Sequence, residues 1–140
     1  MFLALNASVE LYKGGVVPLA EYAQRPYDRD ILVGVLVPKE NARFVYQSVR
    51  NSQTDFPVLT CAAAKLADGS IRAAIGARPG KAVLYTAAPE AGETAEEFAA
   101  RFAAEVKAGI KTESNLRGSA EYRRHLAGVL TKRAVCRLEG

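Results

Sequence analysis

Extended, turn-punctuated segments come first in this chain, and two capped amphipathic helices close it. That order, strands and then helices, is what most limits the folds open to it. Strands joined by tight turns form an antiparallel layer, and helices that follow in a block cover one of its faces. The expectation is an α+β fold: an antiparallel sheet of three to four strands packed against a C-terminal helical layer, with a β-hairpin in front.

The strand signals are specific. Residues 3–11 alternate enough to read as a strand, and Gly14-Gly15 turns it into Val16-Val17-Pro18-Leu19, a hairpin signal. Residues 19–25 read as a short helical turn ended by Pro26. Ile31-Leu32-Val33-Gly34-Val35-Leu36-Val37 is a β-branched run closed by Pro38, and predicts a buried strand. The polar stretch Pro38-Lys39-Glu40-Asn41 is the candidate domain boundary. Residues 43–50 alternate, with Phe44, Tyr46 and Ser48 on one face and Val45, Gln47 and Val49 on the other. Residues 57–66 form a small-residue strand, and Asp68-Gly69 turns it back antiparallel into residues 71–77.

The helix signals follow. Thr94-Ala95-Glu96-Glu97 fits a capping box ahead of a stripe formed by Phe98, Phe102 and Val106, and Gly109 stops that helix. Ser119 caps the last helix, with Glu121 near its positive end. Tyr122, Leu126, Val129, Leu130 and Arg133 are assigned to its inner face, and Arg123, Arg124 and Lys132 to other sides.

With 140 residues and 49% apolar content, the chain suits one domain, or one domain and a piece of another. The net charge of +4 is spread along the sequence, with its densest part in the last helix, and reads as a solvated basic face rather than a nucleic-acid stripe. No apolar run is long enough to cross a bilayer. The start carries no secretory pattern. Cys61 and Cys136 lack metal-ligand spacing and read as reduced thiols of a cytoplasmic protein. His125 is the single histidine, so a paired-histidine metal site is not available, and no hydrolytic triad can be assembled. Catalysis by this chain alone is not expected.

The stretch Ser114-Asn115-Leu116-Arg117-Gly118-Ser119-Ala120-Glu121-Tyr122-Arg123-Arg124-His125-Leu126, with Leu130 and Arg133-Ala134 beyond it, resembles the closing helix of the flavoprotein subunit of molybdenum hydroxylases, the xanthine and carbon monoxide dehydrogenase family. Leu5-Asn6-Ala7-Ser8-Val9-Glu10-Leu11, Val17-Pro18-Leu19 and Ile31 through Pro38 resemble the last segments of that family's flavin-binding domain. Phe44-x-Tyr46 and Asp55-Phe56-Pro57-Val58 resemble the opening of its C-terminal domain. The resemblance implies two parts: residues 1–38 as the remnant of a flavin-binding domain, and residues 39–140 as the C-terminal domain. It describes a truncated or split gene product, or an expressed fragment.

What the family resemblance implies for function is an oxidoreductase subunit that carries FAD between its two domains. Electrons would reach the flavin from a molybdopterin-binding large subunit through an iron–sulfur small subunit, and a separate chain would bring the missing flavin domain. By matching position, Leu32 and Tyr46 would lie near the flavin ring, and Asp55 in a loop that approaches the nicotinamide cofactor in members that use one. Gln47 stands where many members carry lysine, which puts NAD use in doubt. Each has a plainer reading: Leu32 and Tyr46 as core, Asp55 as a loop aspartate in a local turn bond. Arg117, Arg123 and Arg124 are open between subunit docking and structural bonding, while Tyr122 reads as core. No glycine-rich phosphate loop is present, since Gly14-Gly15 belongs to the hairpin and residues 76–81 to a turn. The chain alone is therefore expected to bind FAD weakly or not at all. The rival reading is a non-redox interaction module that kept the fold after losing the flavin-binding domain.

Overall fold

The computed structural model describes residues 1–26, 29–39 and 42–140. Glu40 and Asn41 of the expected boundary lie outside the described residues. Strands β1 (Ser8–Leu11), β2 (Gly15–Pro18) and β3 (Leu32–Leu36) form a small antiparallel sheet in the order β2-β1-β3, with helix α1 (Leu19–Tyr22) after β2. Strands β4 (Arg43–Val49), β5 (Leu59–Lys65), β6 (Ile71–Gly76) and β7 (Val83–Ala87) then run as a four-stranded antiparallel meander. Helices α2 (Ala95–Gly109) and α3 (Ala120–Glu139) complete the chain. The architecture is α+β, as the block order of the elements requires.

The meander has two different faces. In register, Tyr46 stands opposite Ala62 and Ala62 opposite Ala74, while Gln47 pairs with Cys61 and Cys61 with Ile75. Leu59, Cys61, Ala63, Ile71, Ala73 and Ile75 form the inner face and are fully buried. They share one core with Phe98, Phe102 and Val106 of α2 and with Ala127, Leu130, Ala134 and Leu138 of α3. The Phe98 and Phe102 rings stack with centroids 5.9 Å apart. Small alanines on the outer face, Ala62, Ala64 and Ala74, let the N-terminal segment approach closely enough for Ala4 to be buried on them.

Helix α2 begins as its capping box requires: Thr94 Oγ1 accepts from the Glu97 amide, and the Glu97 carboxylate accepts from the Thr94 amide at 2.9 Å. Just ahead of it, Glu93 accepts from Arg101 Nε at 2.8 Å and from Arg101 Nη2 at 2.9 Å. The Arg101 guanidinium holds the Glu93 carboxyl down at about 2. A depressed carboxylate contributes stability that is fully present above its unfolded value and lost as pH falls through the folded one. The Tm advantage of the wild type over Glu93→Gln is therefore expected to be widest above pH 4.5 and to close as pH falls toward 2. Thermal denaturation followed by circular dichroism across that range checks it; a gap independent of pH would assign the effect to packing.

Four expectations need correction. The first strand is shorter than residues 3–11, because residues 2–6 turn and Asn6 takes the left-handed conformation at φ 54°, which asparagine tolerates. Strand β3 is not buried: it is an edge of the small sheet, with Leu32 53% exposed and Val33, Val35 and Leu36 exposed as well. A fourth strand, β7, pairs with β6 where no strand was anticipated. Tyr122 and Arg123 exchange places, Tyr122 being 45% exposed and Arg123 1%, and Arg133, grouped with the inner face, is exposed as well.

Candidate functional site

The segment between α2 and α3 is built around Arg123. Its guanidinium donates to the carbonyls of Val58, where β5 begins, and of Ala77, where β6 ends, and to Asn115 Oδ1. One side chain thus joins the sheet end to the loop that precedes α3. Burial and the neighbouring Arg117 charge both push the Arg123 pKa down. Its positive charge is met by carbonyl dipoles, with no carboxylate among its partners in the described residues.

The rest of the segment fits the same clasp. Asn115 and Gly118 exchange backbone hydrogen bonds at 3.1 and 3.2 Å. A Cβ at Gly118 would lie 3.1 Å from Val58 Cγ1, which accounts for glycine at this point of the motif. Ser114 Oγ accepts from the Ala120 amide at 2.9 Å, and Ser119 Oγ caps α3 by accepting from the Tyr122 amide at 3.1 Å. Arg117, expected to bond carbonyls near the helix start or to dock a partner, instead pairs with Asp55 across 62 residues, Nη2 to Oδ1 at 2.9 Å and Nε to Oδ1 at 3.0 Å. The Arg117 side chain, and then the Phe56 amide, hold the Asp55 carboxyl below its ordinary range. The Arg117 guanidinium also covers the Phe56 ring at 5.2 Å.

The four residues singled out from sequence fall in four settings. Tyr46 projects from β4 on the outer face, 46% exposed and opposite Ala62. Gln47 points the other way and donates through Nε2 to the Leu130 carbonyl at 3.4 Å, within the helical layer. Asp55 belongs to the loop after β4 and is tied to Arg117. Leu32 opens β3 in the small sheet. Asp55 thus pairs with a side chain, Arg117, and Gln47 with a backbone carbonyl. Sequence reading missed the Arg123 clasp; the glycine beside a capping serine and two arginines was its one visible sign.

Between the small-sheet unit and the meander lies a cleft of about 560 Å³, lined by Leu3, Ala20, Gln24, Arg78, Lys81 and Leu84, among others. Both cations in it are engaged with backbone: Arg78 Nε donates to the Lys81 carbonyl at 2.7 Å, and Lys81 Nζ to the Arg25 carbonyl at 2.9 Å. Among the described residues no helix is long and apolar enough to cross a membrane, and no three metal-ligating side chains gather.

A four-stranded meander backed by a helix pair, carried behind a small three-stranded unit, defines an α+β module. The family model for the CO dehydrogenase flavoprotein C-terminal domain matches residues 44–138, and the chain belongs to that family. This bears out the resemblance drawn from the Arg117-Gly118-Ser119 motif. Among solved structures, the chain is similar to the CO dehydrogenase of Hydrogenophaga pseudoflava that lacks the Mo-pyranopterin moiety of its molybdenum cofactor, at TM-score 0.78 and 23% identity, covering 98% of this chain and 54% of that one. It is similar also to quinoline 2-oxidoreductase from Pseudomonas putida 86, at TM-score 0.75 and 20% identity, covering 99% and 54%. Reconstituted CO dehydrogenase from Oligotropha carboxidovorans gives 0.76 and 20%, again covering 99% and 54%. The chain thus spans about half the length of the chains it matches. No curated protein matches it.

Proposed function

We propose that this chain forms one wall of a flavin site in a molybdenum-hydroxylase flavoprotein. The observation that carries the proposal is Tyr46, a half-exposed aromatic on the outer face of the meander in a chain whose residues 44–138 match the flavoprotein family. In this reading residues 1–38 are the end of a flavin-binding domain and residues 39–140 the C-terminal domain. The exposed apolar strand β3 supports the first half of that division, since its side chains are left without the layer that would cover them.

The residues present fit the ring of FAD better than its pyrophosphate. Tyr46 and Leu32 offer aromatic and apolar surface suited to a planar ring. Arg78 and Lys81 are engaged with carbonyls, so the cleft beside them holds no ready phosphate anchor. Asp55, locked by Arg117, would fix the loop beyond β4, and Gln47 would hold β4 against α3 from behind. Bound flavin would supply the redox chemistry, and this chain's part is to shape and orient its site. The remaining partners would be a chain bearing the rest of the flavin domain, an iron–sulfur subunit and a molybdopterin-binding subunit, in a cytoplasmic complex.

Titration of the chain with FAD, followed by flavin fluorescence, is expected to show no saturable micromolar binding. Adding a separately produced flavin-domain chain is expected to create a site, with affinity about tenfold lower in Tyr46→Ala for the lost ring contact. Tight binding by the chain alone would overturn the half-site reading. A Tyr46→Ala variant that binds as the wild type does would remove Tyr46 from the wall. No site in the mixture would favour the non-redox interaction module.

A further inference from the structure

We propose that the solvent-side groove between α2 and α3 is a docking surface for an acidic segment of a partner protein. The groove lies on the side of the helical layer away from the sheet, apart from the flavin-facing surface proposed above. Its wide end is a cleft of about 670 Å³ at the C-terminus of α2, where Lys107, Lys111 and Arg124 meet around Ala104, Ala108 and Thr112. It continues over Ala103, Gly128 and Val129 to Lys132, and beyond Lys132 the solvent face of α3 carries Arg133 and Arg137 outside the groove. Four cations, Lys107, Lys111, Arg124 and Lys132, therefore line the groove between the helices, in a chain whose net charge is +4.

Intramolecular chemistry accounts for few of them. Among the described residues Lys107, Lys111 and Arg124 make no ion pair, and Lys132 reaches only Glu96, at 3.9 Å. Of the other carboxylates on these helices, Glu97 is folded into the α2 cap, Glu105 lies on the side of Arg101, Glu121 lies one turn ahead of Arg124 without pairing with it, and Glu139 is bonded to Lys65. Lys107 and Lys111 suit the negative end of α2, but Arg124 sits near the positive end of α3, where a cation is disfavoured. A row of like charges collected without local compensation is suited to a ligand of the opposite sign.

The shape selects a polypeptide. From Arg124 to Lys132 the groove follows α3 for roughly 12 Å at the rise of an α-helix. Its floor is made of small apolar residues, kept narrow because a Cβ at Gly128 would stand 3.3 Å from Lys107 Cβ. Among the described residues no Phe, Tyr or Trp lines it, and the single imidazole of His125 is less than the series of stacking rings that single-stranded nucleic acid uses. Carboxylates spaced along a helix or an extended segment would meet the cations in turn, while the apolar floor receives the stem.

The test uses the whole chain and a fluorescein-labelled peptide of repeated glutamate–alanine pairs, with anisotropy as the readout. Saturable binding is expected at low salt, weakening as salt rises, with none for the glutamine counterpart. The double variant Lys107→Glu, Arg124→Glu is expected to bind about tenfold more weakly than Lys13→Glu, Arg43→Glu, which makes the same change in net charge away from the groove. Equal weakening in the two doubles would overturn the proposal in favour of diffuse net charge. So would the absence of binding at low salt, or single-stranded DNA binding more tightly than the peptide and displacing it.

Discussion

Replacing Arg123 with methionine is expected to destabilise the domain by about 3 kcal/mol, read as a fall in the urea midpoint at unchanged slope. Methionine fills most of the volume but makes none of the bonds. The Val58 and Ala77 carbonyls and Asn115 Oδ1 would then lose a charged donor in a buried place. Leaving buried acceptors without a donor costs more than the net worth of the bonds themselves. Arg124→Met, at an exposed neighbouring position, serves as the control and is expected to change stability by no more than about 0.5 kcal/mol. Equal effects from the two would mean that the clasp is not what holds the α2–α3 segment to the sheet.

Phe102→Ala is expected to cost about 4 kcal/mol, within the range for deleting a buried aromatic ring. Phe102 is fully buried in α2, stacks on Phe98 and shares the core of the meander and α3. The ring joins the helix pair to the sheet, so its removal opens a cavity between layers that the stiff sheet can close only in part. Urea unfolding measures this as well. The conservative Phe102→Leu is expected to lose less, about 1–2 kcal/mol, since most of the volume remains.

The elements legible in the sequence were those specified by local chemistry. Alternation in residues 43–49 put Tyr46 and Gln47 on opposite faces, Asp68-Gly69 set the β5–β6 turn, and Thr94 and Ser119 marked where α2 and α3 begin. What was misread depended on distant partners. Arg123 looks like a solvated charge until the carbonyls of Val58 and Ala77, 65 and 46 residues away, are seen to meet it. Arg117 found its carboxylate 62 residues away. An apolar run such as residues 31–37 announces a strand, but it does not say whether anything covers it. β7 was missed because five residues of mixed character between two polar turns carry little periodicity of their own.

Strand β3 has a consequence for the chain handled alone. It is an edge strand with Leu32, Val33, Val35 and Leu36 facing water, flanked by exposed Ile31 and Val37. Such an edge is a template on which a second molecule can add a strand, the first step of ordered aggregation. The sequence brackets it with Asp30 before and Pro38-Lys39 after, a charge and a ring that stop growth along the strand but do not cover its side. A polypeptide laid against β3 would close that edge, so the same seven residues mark where two isolated chains would first pair.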